Sequence, residues 1–220
     1  MTTARYDGLA EWYDREFAND GPARQAALRL LGDTHGRLLD VGCGTGAHSA
    51  AFAARGWEVV GADISEDLLQ RARDRGVETV TADAAALPFD DESFDAVVSM
   101  WTHTDVDDFA AVVREVARVL RPGGSFVYVG AHPCFVGPHS EFVGAVGVPH
   151  LHAGHYRRAG RYTGAPGISP TGLRSKVGAT HLPLAAFVQA FAAALRIESF
   201  EELEADNRDF PYVVAVRARR

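Results

Sequence analysis

The chain has 220 residues, of which 47% are apolar and 23% charged, proportions that exclude a mainly disordered, collagenous or coiled-coil protein. Acids outnumber bases 29 to 22, a net charge of -7 that repels a phosphate backbone, so no nucleic-acid partner is expected. Its 2 cysteines cannot build a disulfide framework, no stretch approaches the roughly 20 apolar residues of a membrane span, and the opening residues lack the basic start and apolar run of a secretory signal. A cytoplasmic protein with no membrane partner is expected.

In chain order, helices are predicted over Gly8–Ala18 and from Pro22 to about Leu31. A strand follows at Arg37–Val41, then a helix from Ala47 to Arg55 that stops at Gly56, a natural left-handed cap. The next strand, Trp57–Ala62, leads to a helix opened by Ser65 with Glu66 and Asp67 and closed by Gly76. Val77–Ala82, Phe94–Met100 and Ser125–Gly130 read as further buried strands. Between the last two, Phe109, Val112, Val113, Val116 and Leu120 recur at helical spacing before an Arg121-Pro122-Gly123-Gly124 turn. Behind Pro183, Leu184, Phe187, Val188, Phe191 and Leu195 form a helical face. Two final strands, Arg196–Leu203 and Tyr212–Arg217, lie too close for a helical crossover and should pair antiparallel. Strand and helix alternating at this rhythm predict an α/β fold, a doubly wound, seven-stranded, mainly parallel sheet with an antiparallel last strand.

Residues 132–181 break the rhythm. They hold nine glycines, five prolines, six of the nine histidines, five bases and one acid, Glu141. A structureless connection this long is expected to be functional or disordered, and it is expected to be mobile until cofactor and acceptor bind.

The segment LLDVGCGTGAHS sets a tight glycine loop between a strand and a helix N-terminus. Gly42 and Gly44 let backbone approach a ligand, with Cys43 a small filler between them, and the helix offers unpaired N–H groups to an anion. Gly42, Gly44 and Ala47 also satisfy a dinucleotide fingerprint. Three acids argue against that reading. Asp40, two residues before the loop, can orient it or receive an ammonium group; Asp63, ending the second strand, can accept both hydroxyls of a ribose; Asp83, ending the third, can accept from an adenine amine.

With YDGLAEWYD, LLDVGCGTG, VVGADIS, TADAAALPF, FDAVVSMWTH and REVARVLRPGGSFVYV in this order, the chain resembles the class I S-adenosylmethionine-dependent methyltransferases, particularly the ubiquinone and menaquinone methyltransferase-like branch. The resemblance implies S-adenosylmethionine as cofactor and S-adenosylhomocysteine as product. It further implies that the 42–46 loop faces the amino-acid part, Asp63 holds the ribose, Ile64 packs on the adenine and Asp83 with Ala84 reads its edge. Ser99 and Met100 would pass the methionine moiety. Tyr6 and Tyr13, seven apart on the first helix, either line the site, Tyr13 toward the cofactor and Tyr6 toward the acceptor, or pack the helix down.

Ser99-Met100-Trp101-Thr102-His103 lacks the Pro-Pro-aromatic or Pro-Cys pair of nucleobase methylating enzymes, which again argues for a small acceptor. Residues 132–181 are expected to cover that acceptor and residues 1–35 to form a helical lid on a single domain. Flat faces from Phe135, Phe142, Tyr156 and Tyr162, with His132 and His139, suit a planar ring. Trp101 would hold that ring against the methyl, and His103, three residues past the fourth strand, would be the acceptor-side base. His132, Cys134 and His139, or His150, His152 and His155, are loosely metal-like in spacing, but no regular four-ligand set is present and no metal is expected. The reading is methyl transfer to oxygen or nitrogen of a small aromatic or heteroaromatic metabolite, in secondary metabolism, by a monomer or homodimer. A carbon methyltransferase on a quinol-like ring and a non-catalytic cofactor-binding protein are the alternatives.

Overall fold

A computed structural model describes residues 4–17, 21–33, 35–144, 147–203 and 210–220. Helices α1 (Ala10–Phe17) and α2 (Gly21–Leu31) precede β1 (Arg37–Val41), α3 (Ala47–Ala53), β2 (Glu58–Asp63), α4 (Glu66–Asp74) and β3 (Glu78–Thr81). Then come β4 (Phe94–Met100), a 3₁₀ turn at Thr102–Thr104, α5 (Phe109–Val119) and β5 (Leu120–Ala131). The predicted end of the first helix, Ala18, lies outside the described residues. The caps follow the chemistry of the sequence: Ser65 Oγ accepts from Leu68 N at the start of α4, and Asp108 Oδ1 accepts from Ala111 N at the start of α5.

The connection after β5 is built rather than structureless. It contains an antiparallel hairpin of β6 (Ser140–Val143) and β7 (Val148–Leu151), then β8 (Gly160–Tyr162), α6 (Leu173–Val177) and β9 (Ala179–His181), with β8 pairing antiparallel to β9. Helix α7 (Leu184–Ala192) and strands β10 (Arg196–Leu203) and β11 (Val213–Arg219) complete the chain.

Seven strands form one sheet in the order β10-β11-β5-β4-β1-β2-β3. The pairs among β5, β4, β1, β2 and β3 are parallel, and β11 runs antiparallel to both of its neighbours. The predicted Arg121–Gly124 turn is incorporated into the start of β5, where register against β4 shifts between Phe94 and Ala96 and Gly123 takes a φ of +80°.

Strand residues alternate between two cores, as the two-residue period of a pleated strand requires. Leu39 and Val97 face Phe109, Val116, Phe187 and Phe191 of α5 and α7, whereas Leu38 and Val98 face Ala27, Leu30 and Phe52 of α2 and α3. Chain order reverses between β4 and β1. In an open α/β sheet the crevice beyond the strand ends at such a reversal is where ligands bind.

Phe187 is fully buried, stacked on Phe109 at 5.5 Å between centroids and edge-on to Tyr128 and Phe191. Phe187→Ala is expected to cost about 3 to 5 kcal/mol of stability in urea unfolding. A loss under about 1 kcal/mol would show that this aromatic cluster does not carry the second core.

Candidate active site

The loop after β1 is held against β2 and β4 by short-range constraints. The N–H groups of Gly42 and Cys43 both donate to the Ala62 carbonyl, at 2.7 and 3.1 Å. Gly42 has a φ of +74°, and a Cβ there would lie 2.6 Å from Thr102 Oγ1. Thr102 cannot easily yield, because its hydroxyl lies 2.7 Å from Ser99 Oγ and both hydroxyls lie within 3.1 Å of the Val41 carbonyl. Asp63, at the end of β2, accepts from Gly44 N through Oδ2 and from Ser65 N through Oδ1, each at 2.9 Å. One carboxylate thus ties the glycine loop to the start of α4. Each of its oxygens keeps a further lone pair for a ligand hydroxyl.

Beneath the loop, Asp40 accepts from Ser49 Oγ at 2.6 Å. Burial pushes its carboxyl up to about 7, against the Ser49 bond and with nearby Asp63 adding to the rise. Asp63 itself is raised by burial and held back by its backbone donors.

Two spaces meet at this edge. A groove of about 90 Å³ is lined by Gly42, Gly44, Asp63, Ile64, Asp83, Ala84, Met100 and Thr102, with Tyr6 and Tyr13 on its outer side. A cavity of about 440 Å³ lies beside it, walled by Tyr6, Tyr13, Phe17, Trp101, Tyr162 and Tyr212, with His48, Asp105 and Arg174 as polar lining. Tyr6, Tyr13, Trp101 and Asp105 border both. Trp101 takes φ +65°, a conformation that costs a non-glycine residue on the order of 1 kcal/mol and is concentrated at functional sites. At the junction, Asp105 Oδ1 accepts from Tyr6 OH at 2.9 Å and from Arg174 Nη1 at 2.6 Å. Burial would discharge Arg174, but Asp105 and the other facing groups hold it protonated.

Comparison with known proteins agrees with this geometry. Residues 39–128 match the family described as a methyltransferase domain. A demethylmenaquinone methyltransferase of Clavibacter sepedonicus is 42% identical over 138 residues, 58% of this chain and 56% of that protein. One from Tropheryma whipplei is 39% identical over 145 residues, 60% of this chain and 61% of that protein. The chain thus spans little more than half the length of these curated relatives. The solved structure of an S-adenosylmethionine-dependent methyltransferase from Mesorhizobium loti aligns with a TM-score of 0.72 at 28% identity, covering 97% of this chain and 99% of that one. Residues 39–128 thus match a methyltransferase domain, and the chain has the fold of S-adenosylmethionine-dependent methyltransferases. The curated proteins it is similar to lie in the menaquinone branch of that group.

The family's cofactor, S-adenosylmethionine, fits the donor set of the groove. Asp63 offers a carboxylate acceptor, Ile64 and Ala84 offer apolar faces, and Gly42 and Gly44 present backbone without side chains. Of the residues predicted to hold it, Tyr13, Gly42, Gly44, Asp63, Ile64, Asp83, Ala84 and Met100 line the groove. Asp40, Cys43 and Ser99 do not. Asp40 and Ser99 brace the loop from below, and the Cys43 side chain is buried against Gly61, its thiol raised well above its usual range by burial.

On the acceptor side the structure corrects several expectations. His103 lines neither space: it is 2% exposed, bonded to Tyr128 OH and packed against Phe109 and Phe187, with its pKa lowered to about 3 by burial. His132 bonds Glu202 at 2.8 Å, Phe135 packs on His132 and Phe210, and His139 bonds the Cys134 carbonyl beneath Tyr156. Tyr156 in turn accepts from Leu184 N. These four residues brace the 132–181 segment from within rather than facing a ligand. Val136, Tyr162, Leu173 and Arg174 are what it contributes to the cavity wall, where Tyr6 and Trp101 also lie.

Sequence reasoning passed over His48 and Arg174. His48 stands on the first turn of α3, two residues past the glycine loop, a position that faces the same sheet edge. Its Nδ1 is buried without a partner, and burial lowers its pKa to about 4, so the ring is neutral.

Asp63→Ala is expected to weaken S-adenosylmethionine by about 1.5 to 3 kcal/mol in calorimetry, the scale of charge-assisted hydrogen bonds; unchanged affinity would remove the ribose assignment. His103→Ala is expected to lower thermal stability while leaving kcat within about fivefold of wild type. A fall of roughly 10²-fold in a folded variant would restore His103 as a general base.

Proposed function

We propose that the protein methylates a ring carbon of a small, quinol-like aromatic acceptor. The observation that carries this reading is the aromatic cavity sharing Tyr6, Tyr13 and Trp101 with the cofactor groove. Its volume falls within the range of small-molecule sites, and its walls suit a flat ring sandwiched by aromatic edges and faces. When bound, the cofactor supplies an activated methyl on a sulfonium. The protein's task is then to align a nucleophilic ring carbon with it and to exclude water.

The residues divide that task. Trp101 and Tyr13 flank the acceptor's approach, Phe17, Tyr162 and Tyr212 close the cavity around its body, and His48 and the Asp105–Arg174 pair offer polar contacts to ring hydroxyls. Removing a hydroxyl proton makes an adjacent ring carbon more nucleophilic, so a polar partner at the hydroxyl supports attack by carbon. The ring hydrogen leaves as a proton after the new carbon–carbon bond forms. The expectation of oxygen or nitrogen transfer gives way to carbon because the similar curated proteins are demethylmenaquinone methyltransferases.

Helix α1 and the residues before it act in this reading as the lid. Gly8 N donates to Asp67, Ser65 Oγ to Asp7, and Asp14 receives Thr45 Oγ1 and Arg75 at 2.7 to 2.8 Å. These latches hold α1 and the residues before it against the groove, and in this reading cofactor entry breaks them.

The test is incubation with methyl-¹³C-labelled cofactor and a reduced, demethylated naphthoquinol, followed by NMR of the product. Label in a ring-bound methyl supports the reading; a methoxy or N-methyl product, or no transfer to ring acceptors, overturns it. His48→Ala is expected to lower kcat/KM for the quinol by about tenfold with cofactor affinity unchanged, and an unaltered kcat/KM would remove His48 from the acceptor site.

A further inference from the structure

The β6–β7 hairpin carries a side-chain cluster that the methyl-transfer reading leaves unused. Glu141 lies directly opposite His150 across the two strands, and His152, two residues beyond His150, emerges on the same side. Glu141 Oε1 is 2.8 Å from His152 Nε2 and 3.6 Å from His150 Nδ1. The two imidazoles lie 4.7 Å apart between centroids, and the three donor atoms fall within 4.8 Å of one another.

We propose that Glu141, His150 and His152 form a binding site for a divalent transition metal of the zinc class. Zinc takes imidazole nitrogen and carboxylate oxygen at about 2.0 to 2.2 Å in tetrahedral geometry, which places neighbouring ligand atoms about 3.4 Å apart. The two distances from Glu141 bracket that spacing, so small side-chain rotations bring the set to coordination. The donors are of the right kind: two imidazole nitrogens and one carboxylate give a borderline-soft site that favours zinc, copper or nickel over magnesium or calcium. Glu141 is also the sole acid in residues 132–181, so the one anionic ligand that the segment owns sits at its pair of histidines.

The frame around the site is fixed. His152 N donates to the His139 carbonyl at 2.7 Å, and Ser140, next to Glu141, is anchored by its hydroxyl on the Phe135 carbonyl. His150 is 61% exposed, which leaves a fourth position for water and a path for the ion. Bound metal would link residue 141 to residues 150 and 152 and so staple the hairpin closed. The histidine spacing alone suggests His155 as the third ligand; the strand register supplies Glu141 instead.

The test uses the full-length protein stripped of metal, titrated with Zn²⁺ against a chromophoric chelator and with Co²⁺ for its visible spectrum. The expected result is one equivalent of Zn²⁺ at micromolar or tighter affinity and a tetrahedral Co²⁺ spectrum. Glu141→Gln and His152→Ala should each weaken binding at least tenfold, whereas His155→Ala should leave it unchanged. Zn²⁺ should also slow hydrogen exchange across β6 and β7, in wild type and not in His150→Ala. The proposal is overturned if wild type takes up no stoichiometric Zn²⁺, or if the triple variant of Glu141, His150 and His152 binds as tightly as wild type. Neither result bears on methyl transfer.

Discussion

The site depends on one carboxylate. Asp63 accepts from Gly44 on one side and Ser65 on the other, so it fixes the glycine loop and the first turn of α4 to a single point at the end of β2. A buried carboxylate left without such donors would be protonated or displaced, at a cost of several kcal/mol. With them it stays in place, with lone pairs to spare. The parallel register of β1 and β2, which sets Val41 beside Ala62, brings the loop to it. The lack of a Cβ at Gly42 allows the turn to close on Thr102. Packing thereby puts a carboxylate acceptor, the apolar faces of Ile64 and Ala84 and glycine backbone within one groove.

The second constraint is the wall between the two spaces. Trp101 leaves β4 in a left-handed conformation and is followed at once by the 3₁₀ turn. That reversal keeps the indole at the sheet edge while His103 is carried inward to Tyr128 and Phe187. The Tyr6–Asp105–Arg174 contacts tie three distant parts of the chain to the same junction: the segment before α1, the loop after β4, and α6. At this half-buried junction the wall of the cavity and the packing of three chain segments share the same contacts.

Where sequence determines structure locally, it was legible. Ser65 and Gly56 are read correctly because caps act through their own side chain or their own φ; Asp63 and Asp83 reach one groove because strand ends in a parallel sheet share one edge, although β3 stops at Thr81, two residues before Asp83. His103 was misread because its position depends on the backbone reversal at Trp101, which no property of tryptophan announces. Within residues 132–181, histidines and aromatics of the same type do opposite jobs. His139 and Tyr156 brace the segment, whereas Tyr162 faces the cavity. That division is set by pairing between β6 and β7 and between β8 and β9, which strands of three or four residues encode weakly. His48 was hidden for a different reason: a histidine on the helix after the loop carries no motif, and its relevance appears only when the cavity is seen beside it.

The most direct measurement is a crystal structure of the protein with S-adenosylhomocysteine and a demethylated naphthoquinol. The account predicts the ribose on Asp63, the sulfur at the junction bordered by Tyr6, Tyr13 and Trp101, and the quinol ring in the adjoining cavity with one ring carbon facing that sulfur. A cofactor whose sulfur faces away from the cavity, or a quinol bound elsewhere with the cavity unfilled, would contradict it.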